Sequence, residues 1–262
     1  MARFCSLFSS SSGNCTYIGT SSANILVDVG VSAKRTEEAL RGIGVDPADI
    51  DAVFITHEHS DHISGVRVFA SRYNIKVYAT PGTIAAMENG GALSEKNIYD
   101  AIDPSGLEVG GFFVRPFATP HDAAQSCGYT VTTSDSKRLA VCTDLGVMTE
   151  SVMNAVYGSD LVLLESNHDV NMLLNGGYPY ALKRRILSEV GHLSNEVCAQ
   201  TAVKLIDGGT TRLVLGHLSK ENNIPSLAEQ TTKCALSQAG MSENSDYLLQ
   251  VAGGETPHII AF

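Results

Sequence analysis

The sequence predicts an α/β fold: two β-sheets packed face to face with helices outside, in one domain spanning residues 1–262. Three observations predict it. Short apolar runs of strand length occur in both halves of the chain, helical patterns are interspersed among them, and no repeat, low-complexity tract or linker separates the halves. A chain of 262 residues can bury the core that such layers need, and 44% hydrophobic with 18% charged residues describes a globular chain rather than a disordered one.

Strands are expected at Phe4–Phe8 and Cys15–Ile18, with the polar run Ser9–Asn14 as the hairpin loop between them. Ile25–Val27 is a third strand, ending in Asp28, and Ala52–Ile55 is a buried one. Further strands are expected at Lys76–Ala79, Phe112–Ala118, Gly128–Thr133, Leu139–Cys142, Leu161–Leu164, Leu213–Leu215, Tyr247–Val251 and Ile259–Phe262. Helical patterns cover Ala33–Arg41, closed by Gly42, then Gly65–Tyr73, Thr83–Glu88, Thr149–Tyr157, Ala181–Val190, Asn195–Ile206 and Leu227–Ala239.

Composition narrows the function classes. No apolar run approaches the roughly 20 residues of a spanning helix. Met1–Ser12 lacks the basic and long apolar segments of a signal peptide, so the cytoplasm is the expected compartment. The six cysteines have no paired spacing and read as free thiols packed as small hydrophobes. A net charge of −10 opposes strong non-specific attraction to nucleic acid, although bound cations would invert the local field. The concentrated basic run is Lys183-Arg184-Arg185.

Chemistry concentrates in Thr56-His-Glu-His-Ser-Asp-His62. A short apolar strand ends, and His57, His59, Asp61 and His62 follow within six residues. In extended backbone alternate residues project to one side, so His57 and His59 point together while Asp61 and His62 follow as the chain turns toward a helix. Imidazoles with a carboxylate suit Zn²⁺, Mn²⁺ or Fe²⁺.

This segment resembles the HxHxDH signature of the metallo-β-lactamase superfamily, whose fold is an αββα sandwich with a dinuclear metal site. The resemblance implies three further ligands at strand ends, and His121, Asp144 and His217 stand in the expected order, each just past an apolar strand. It implies that His57, His59 and His121 hold one metal, Asp61, His62 and His217 the other, and that Asp144 bridges them. Two cations about 3.5–4 Å apart share a hydroxide at neutral pH, the expected nucleophile. Asp61 is positioned to orient it. Asp28 is a candidate acceptor for a ligand imidazole N–H, or equally a turn cap. His59 stands where the diiron oxygen-reducing branch carries Glu, which favours hydrolysis.

Several features lean toward phosphodiesters. Gly191-His192-Leu-Ser-Asn is similar to the Gly-His-Ser-Thr element of tRNA 3′-processing nucleases, in which the His is a proton donor paired with an upstream Glu. Glu165 occupies the matching place, and a carboxylate beside an imidazole stabilises the protonated ring of a general acid. The alternative is a helix-start hydrogen bond without catalytic part. Ser11, Ser12 and Asn14 in the Ser9–Asn14 loop are suited to a phosphate oxygen, or form an ordinary turn. Tyr178-Pro-Tyr180 followed by Lys183, Arg184 and Arg185 mixes stacking surface with charge, as strand-end sites do, or forms a solvated basic face. His168 and Asp169 sit near the expected rim, and His258 reads as structural.

Taken together, Ser-Ser-Ser-Ser-Gly-Asn (9–14), Glu-Ser-Asn-His-Asp (165–169), Tyr-Pro-Tyr-Ala-Leu-Lys-Arg-Arg (178–185), Gly-His-Leu-Ser-Asn (191–195) and Gly-His-Leu-Ser-Lys-Glu-Asn-Asn (216–223) resemble the YycJ/WalJ branch. That resemblance implies a DNA exonuclease acting from the 5′ end, with DNA rather than RNA the expected nucleic-acid partner, and two divalent cations; no membrane partner is expected. About 70 residues separate Asp144 from His217, too few for the extra β-CASP domain of RNase J-like nucleases. The interval from His121 to Asp144 leaves no room for the arm of the tRNA-processing enzymes. A thioester, lactone or other small-ester hydrolase on the same metals is the alternative. A metal-stabilised regulator is the non-enzymatic one.

Overall fold

A computed structural model describes residues 2–253 and 259–262; His258 lies outside the described residues. In the first half, β1 (Arg3–Ser10) and β2 (Gly13–Gly19) pair antiparallel, and β3 (Asn24–Val27) pairs antiparallel with β2. Helix α1 (Ala33–Gly42) then leads to β4 (Ala52–Phe54). A one-turn helix α2 (Ser60–Ile63), α3 (Val66–Tyr73), β5 (Lys76–Ala79), α4 (Pro81–Asn89) and β6 (Ile98–Ala101) follow. β3, β4, β5 and β6 are parallel neighbours, and parallel neighbours need crossovers, which these helices supply. A second ladder is antiparallel: β7 (Leu107–Val109), β8 (Phe112–Ala118) and β9 (Cys127–Thr133).

The second half is a parallel α/β layer. Strand β10 (Arg138–Cys142), helix α5 (Glu150–Val156) and strand β11 (Leu161–Glu165) come first. Helices α6 (Val170–Asn175), α7 (Tyr180–Ile186) and α8 (Asn195–Asp207) lead to β12 (Arg212–Gly216), and α9 (Pro225–Gln238) leads to β13 (Leu248–Val251). β10 to β13 pair in sequence order, all parallel. Strand β11 is buried on both faces, which is why Leu161–Leu164 reads as an unbroken apolar run. The closing strand β14 (Ile260–Ala261) returns to pair with β1.

The sequence reading treats residues 1–262 as one domain; the contacts divide into two compact units. The first comprises Met1–Ala118, Ala123–Lys137 and Gly253–Phe262, the second Thr119–Asp122 and Arg138–Ala252. The core of the first includes Leu26, Val53, Ile55, Phe69, Val77 and Met87, all buried. Among the described residues no helix is long and apolar enough to cross a membrane. Five of the six cysteines are buried and Cys234 is exposed, so the expectation of uniformly packed thiols fails at Cys234, on the outward side of α9.

Other departures have local causes. The segment Ser9–Asn14 is mostly strand: Ser9 pairs with Asn14 and Ser10 with Gly13, leaving Ser11 and Ser12 as a two-residue turn. β6 and β7 escape the sequence reading because they are four and three residues long, too short for a period to show. Helix α7 ends at Ile186, several residues before the expected end, because the carbonyls of Arg185 and Ile186 are taken by Ser188 and His192 N–H groups outside the helix.

In the parallel ladders, the residues that carry chemistry follow the C-terminal strand ends, the place where open α/β sheets keep their sites. Three of them, Asp28 (φ 63°), Asp144 (φ 59°) and His217 (φ 54°), have left-handed backbone. Such conformations cost on the order of 1–3 kcal/mol each in a non-glycine residue and persist only where surroundings over-determine them.

Gly30 makes the tightest approach in this region. A Cβ there would stand 1.7 Å from the Asp61 carbonyl oxygen and 2.6 Å from the Asn14 amide nitrogen. Gly30→Ala should therefore push α2 and β2 apart and destabilise the protein by about 1–3 kcal/mol. Urea unfolding checks this, and an unchanged midpoint would contradict the close approach.

Candidate metal centre

In the first unit the site grows from one buried acid. Asp28 directly follows β3 and accepts hydrogen bonds from the Thr56 backbone N–H (2.9 Å) and the Thr56 hydroxyl (2.9 Å to Oδ2). Its Oδ2 also accepts a hydrogen bond from His62 Nδ1–H at 2.8 Å, so Asp28 is an imidazole acceptor as well as a turn anchor. The Thr56 hydroxyl, its own proton given to Asp28, accepts from His57 Nδ1 at 3.1 Å. Both rings therefore carry their proton on Nδ1, and Nε2 is left as the nitrogen with a lone pair. His57 and His62 are fully buried, with ring centroids 4.1 Å apart; His57 and His59 lie at 4.5 Å.

Asn14 closes this half. Its side-chain amide reaches Asp61 Oδ2 at 3.3 Å and His62 Nε2 at 3.1 Å. The residue read from sequence as a phosphate contact thus points its N–H groups at two expected metal ligands, because β1 and β2 continue to the turn and carry Asn14 inward. Ser11 and Ser12 remain exposed at the tip. Glu58, between the two His residues, accepts the Ala124 backbone N–H at 2.7 Å and anchors the loop.

The second unit repeats the device around Glu165, the last residue of β11 and fully buried. Oε1 accepts His192 Nδ1 at 2.8 Å and His217 Nδ1 at 2.9 Å. Oε2 accepts the backbone N–H groups of Leu145 (3.0 Å) and Leu193 (3.3 Å). Burial alone pushes the Glu165 carboxyl up, but the two imidazoles together outweigh it and hold the carboxyl well below the usual range. Asp144, Glu165, His192 and His217 bring one potential ligand atom each within 4.8 Å of the others, and His217 Nε2 lies 3.4 Å from Asp144 Oδ1. His121 donates Nδ1–H to the Gly191 carbonyl at 3.1 Å, and its Nε2 lies 3.8 Å from Asp144 Oδ1.

Further side chains hold these loops, among them one expected to bind substrate. Arg185 grips Asp122, next to His121, with two bonds of 2.5 and 2.7 Å. Ser166, Asn195 and Asn223 form a closed amide and hydroxyl network at the ends of β11 and α8, in which Asn223 also donates to the Ser166 and Asn167 carbonyls. Asn167 then donates to the His217 carbonyl at 2.9 Å. The signal for Asn167, Asn195 and Asn223 was present in the motifs, but residue type alone does not say what an amide will hold. Gly191 permits no side chain, since a Cβ would stand 2.2 Å from the Ile186 carbonyl oxygen.

The substrate-binding expectations divide. Lys183 donates to the carbonyls of Leu174 and Gly176 at the end of α6, and Arg185 is committed to Asp122. Arg184 is exposed and without an ion pair among the described residues. His168, expected at the rim, is buried, because its backbone bridges to Ser194 and draws it under the start of α8. Among the described residues, neither ring nitrogen of His168 has a hydrogen-bond partner.

Residues 10–217 match the family model of the metallo-β-lactamase superfamily. The chain belongs to that superfamily. Within it, the YycJ/WalJ branch is the near relation. The chain is 40% identical over 250 residues to exodeoxyribonuclease WalJ of Streptococcus pneumoniae, covering 94% of this chain and 92% of that one. It is 37% identical over 241 residues to exodeoxyribonuclease YycJ of Bacillus anthracis, covering 91% and 90%. Among solved structures, the metallo-β-lactamase fold protein YhfI from Bacillus subtilis superimposes with a TM-score of 0.73 at 16% identity, over 98% of this chain and 99% of that one. The fold is therefore the αββα metallo-β-lactamase fold, and the chain is a metal-dependent hydrolase. The donor set fits that class: His57 and His62 in the first unit, and His121 and His217 in the second, each have Nδ1 tied by an oxygen, which leaves Nε2 as the nitrogen able to ligate.

Burial lowers the His168 imidazole to about 4, well under its ordinary 6.5. A histidine held neutral in the fold contributes stability that is full above about 6.5 and falls away as pH drops toward 4, where only the unfolded chain takes the proton first. Metal-free protein should lose up to about 3 kcal/mol across that window through this group. In His168→Gln the slope of urea stability against pH should be shallower; an identical slope would show that the ring titrates normally.

Proposed function

We propose that this protein is a dinuclear metal-dependent phosphodiesterase acting as a DNA exonuclease in the 5′ to 3′ direction. His57, His59 and His121 would hold one divalent cation, Asp61, His62 and His217 the second, with Asp144 bridging. Imidazole and carboxylate donors suit Zn²⁺ or Mn²⁺, with Fe²⁺ chemically equivalent in ligand type. The observation that carries the reading is Glu165: one buried carboxylate oxygen holds both His217, an expected metal ligand, and His192, which is not one. The likeness to two exodeoxyribonucleases over nearly full length supports DNA as the substrate. The absence of any paired cysteine among the six supports a cytoplasmic setting.

When bound, the cations would supply an acidified water and neutralise charge developing on the phosphate. The chain's own residues do the rest. His192 keeps Nδ1 on Glu165, so its Nε2 is the atom that hands a proton to the leaving oxygen as the phosphorus–oxygen bond breaks. The buried Glu165 carboxylate stabilises the charged ring before transfer and fixes its orientation. Asp61, whose carboxylate accepts the Asn14 amide, would orient the attacking water.

Asp61→Ala and His59→Ala should abolish hydrolysis; near-normal turnover with metal content measured would refute the assignment. His192→Ala should slow cleavage by about 10²- to 10⁴-fold with metal content intact. An unchanged rate on a substrate with a poor leaving group would remove His192 from the proton path. Turnover of 5′- and 3′-labelled DNA and RNA, beside thioesters and lactones, across Zn²⁺ and Mn²⁺, decides the substrate class. Activity on esters alone would end the nuclease reading.

A further inference from the structure

Asn14 has more partners than its hydrogens can serve. The side chain is buried, and its Oδ1 accepts the Ser10 N–H at 3.2 Å, which sets the direction of the amide. Nδ2 then faces four acceptors: the Ser10 carbonyl (3.1 Å), the Asp61 carbonyl (3.3 Å), Asp61 Oδ2 (3.3 Å) and His62 Nε2 (3.1 Å). An amide nitrogen carries two hydrogens. His62 Nε2 belongs among the acceptors because Asp28 holds the proton on Nδ1. A flipped amide would set its oxygen against three others, so the network itself assigns the orientation.

The four acceptors are of two kinds. Asp61 Oδ2 and His62 Nε2 stand 3.5 Å apart, a span that two ligands of one cation at about 2.1 Å can make. A cation taking those two would leave one backbone carbonyl for each amide hydrogen. The carbonyls lie on different elements, Ser10 at the end of β1 and Asp61 in α2, so the amide would clip one to the other. The backbone around Asn14 has little room to follow. Its carbonyl accepts the Gly30 N–H at 2.7 Å, and a Cβ on Gly13 would stand 2.4 Å from a Val31 methyl. What can change is which acceptors the two hydrogens serve. The turn beyond depends on Ser10, whose hydroxyl accepts the Ser12 N–H at 3.3 Å.

We propose that Asn14 is a positioning residue that couples the cation at Asp61 and His62 to the β1–β2 turn. Cation binding gives the amide hydrogens to the Ser10 and Asp61 carbonyls and firms the turn that carries Ser11 and Ser12. The coupling is reciprocal: the factor by which the cation stabilises the turn is the factor by which the clip tightens the cation. The inference rests on the ligand assignment above and is independent of the substrate.

The test is residue-resolved amide hydrogen exchange by NMR beside Zn²⁺ calorimetry, on the full chain stripped of metal and then reloaded. The Ser10 N–H, bonded to Asn14 Oδ1, reports the clip directly. Saturating Zn²⁺ should slow its exchange by about 10- to 100-fold. Asn14→Ala should weaken one of the two Zn²⁺ sites by about the same factor and leave the other unchanged. A merely structural Asn14 would leave Ser10 exchange in the unaltered protein indifferent to Zn²⁺, and that result would overturn the proposal. So would a variant whose two Zn²⁺ sites both keep their affinity or weaken alike. If Asn14→Ala does not fold, the Ser10 measurement on the unaltered protein decides alone. Absence of Zn²⁺ binding to the unaltered protein would strike the ligand assignment itself, whereas failure to cleave any DNA would strike the nuclease reading and leave this coupling standing.

Discussion

A neutral imidazole has one lone pair, and what its other nitrogen holds decides where that lone pair points. Everything in this protein's chemistry depends on that constraint. Asp28 and Glu165 are buried carboxylates, which would be costly if left alone, and each is satisfied by donors from the loops that carry the histidines. The exchange is mutual: the acid needs the N–H groups to remain charged indoors, and the rings need the acid to fix their tautomer. The same arrangement has been built twice, once at the end of β3 and once at the end of β11.

The strained backbone follows from it. Asp28, Asp144 and His217 leave their strands in left-handed conformation, which turns the chain abruptly at the point where an extended strand would carry the side chain past the site. Hydrogen bonds hold them there: Asp28 through Thr56 and His62, and His217 through Glu165 and Asn167. The Ser166–Asn195–Asn223 network extends this over-determination to the start of α8, so Glu165, His192 and His217 are set by one connected group of polar contacts. Such a network tolerates few half-measures, since each buried amide that loses a partner is left costly.

Charge is used with similar economy. The chain is acidic overall, and two of the three cations in its basic run bind other groups of the chain, one to close a helix end and one to steady the loop of His121. Non-specific attraction along long nucleic acid is thereby kept low.

The fold and the metal-binding character were legible in the sequence because both rest on local pattern. Apolar runs of strand length announce the ladders, and His57, His59, Asp61 and His62 crowd into six residues, where one strand end is enough to bring them together. His121, Asp144 and His217 were found by their place after strands. What residue type and spacing leave open is the partner of each side chain. Asn14, Lys183 and Arg185 looked like substrate contacts, yet their amide, ammonium and guanidinium groups bind Asp61, carbonyls of α6 and Asp122. His168 looked like a rim residue and is buried. A polar group binds whatever the fold carries within about 3 Å of it, and that distance is set by contacts between residues far apart in the chain. The sequence by itself determined which atoms could hold metal; only the tertiary structure decided which nitrogen each ring would offer.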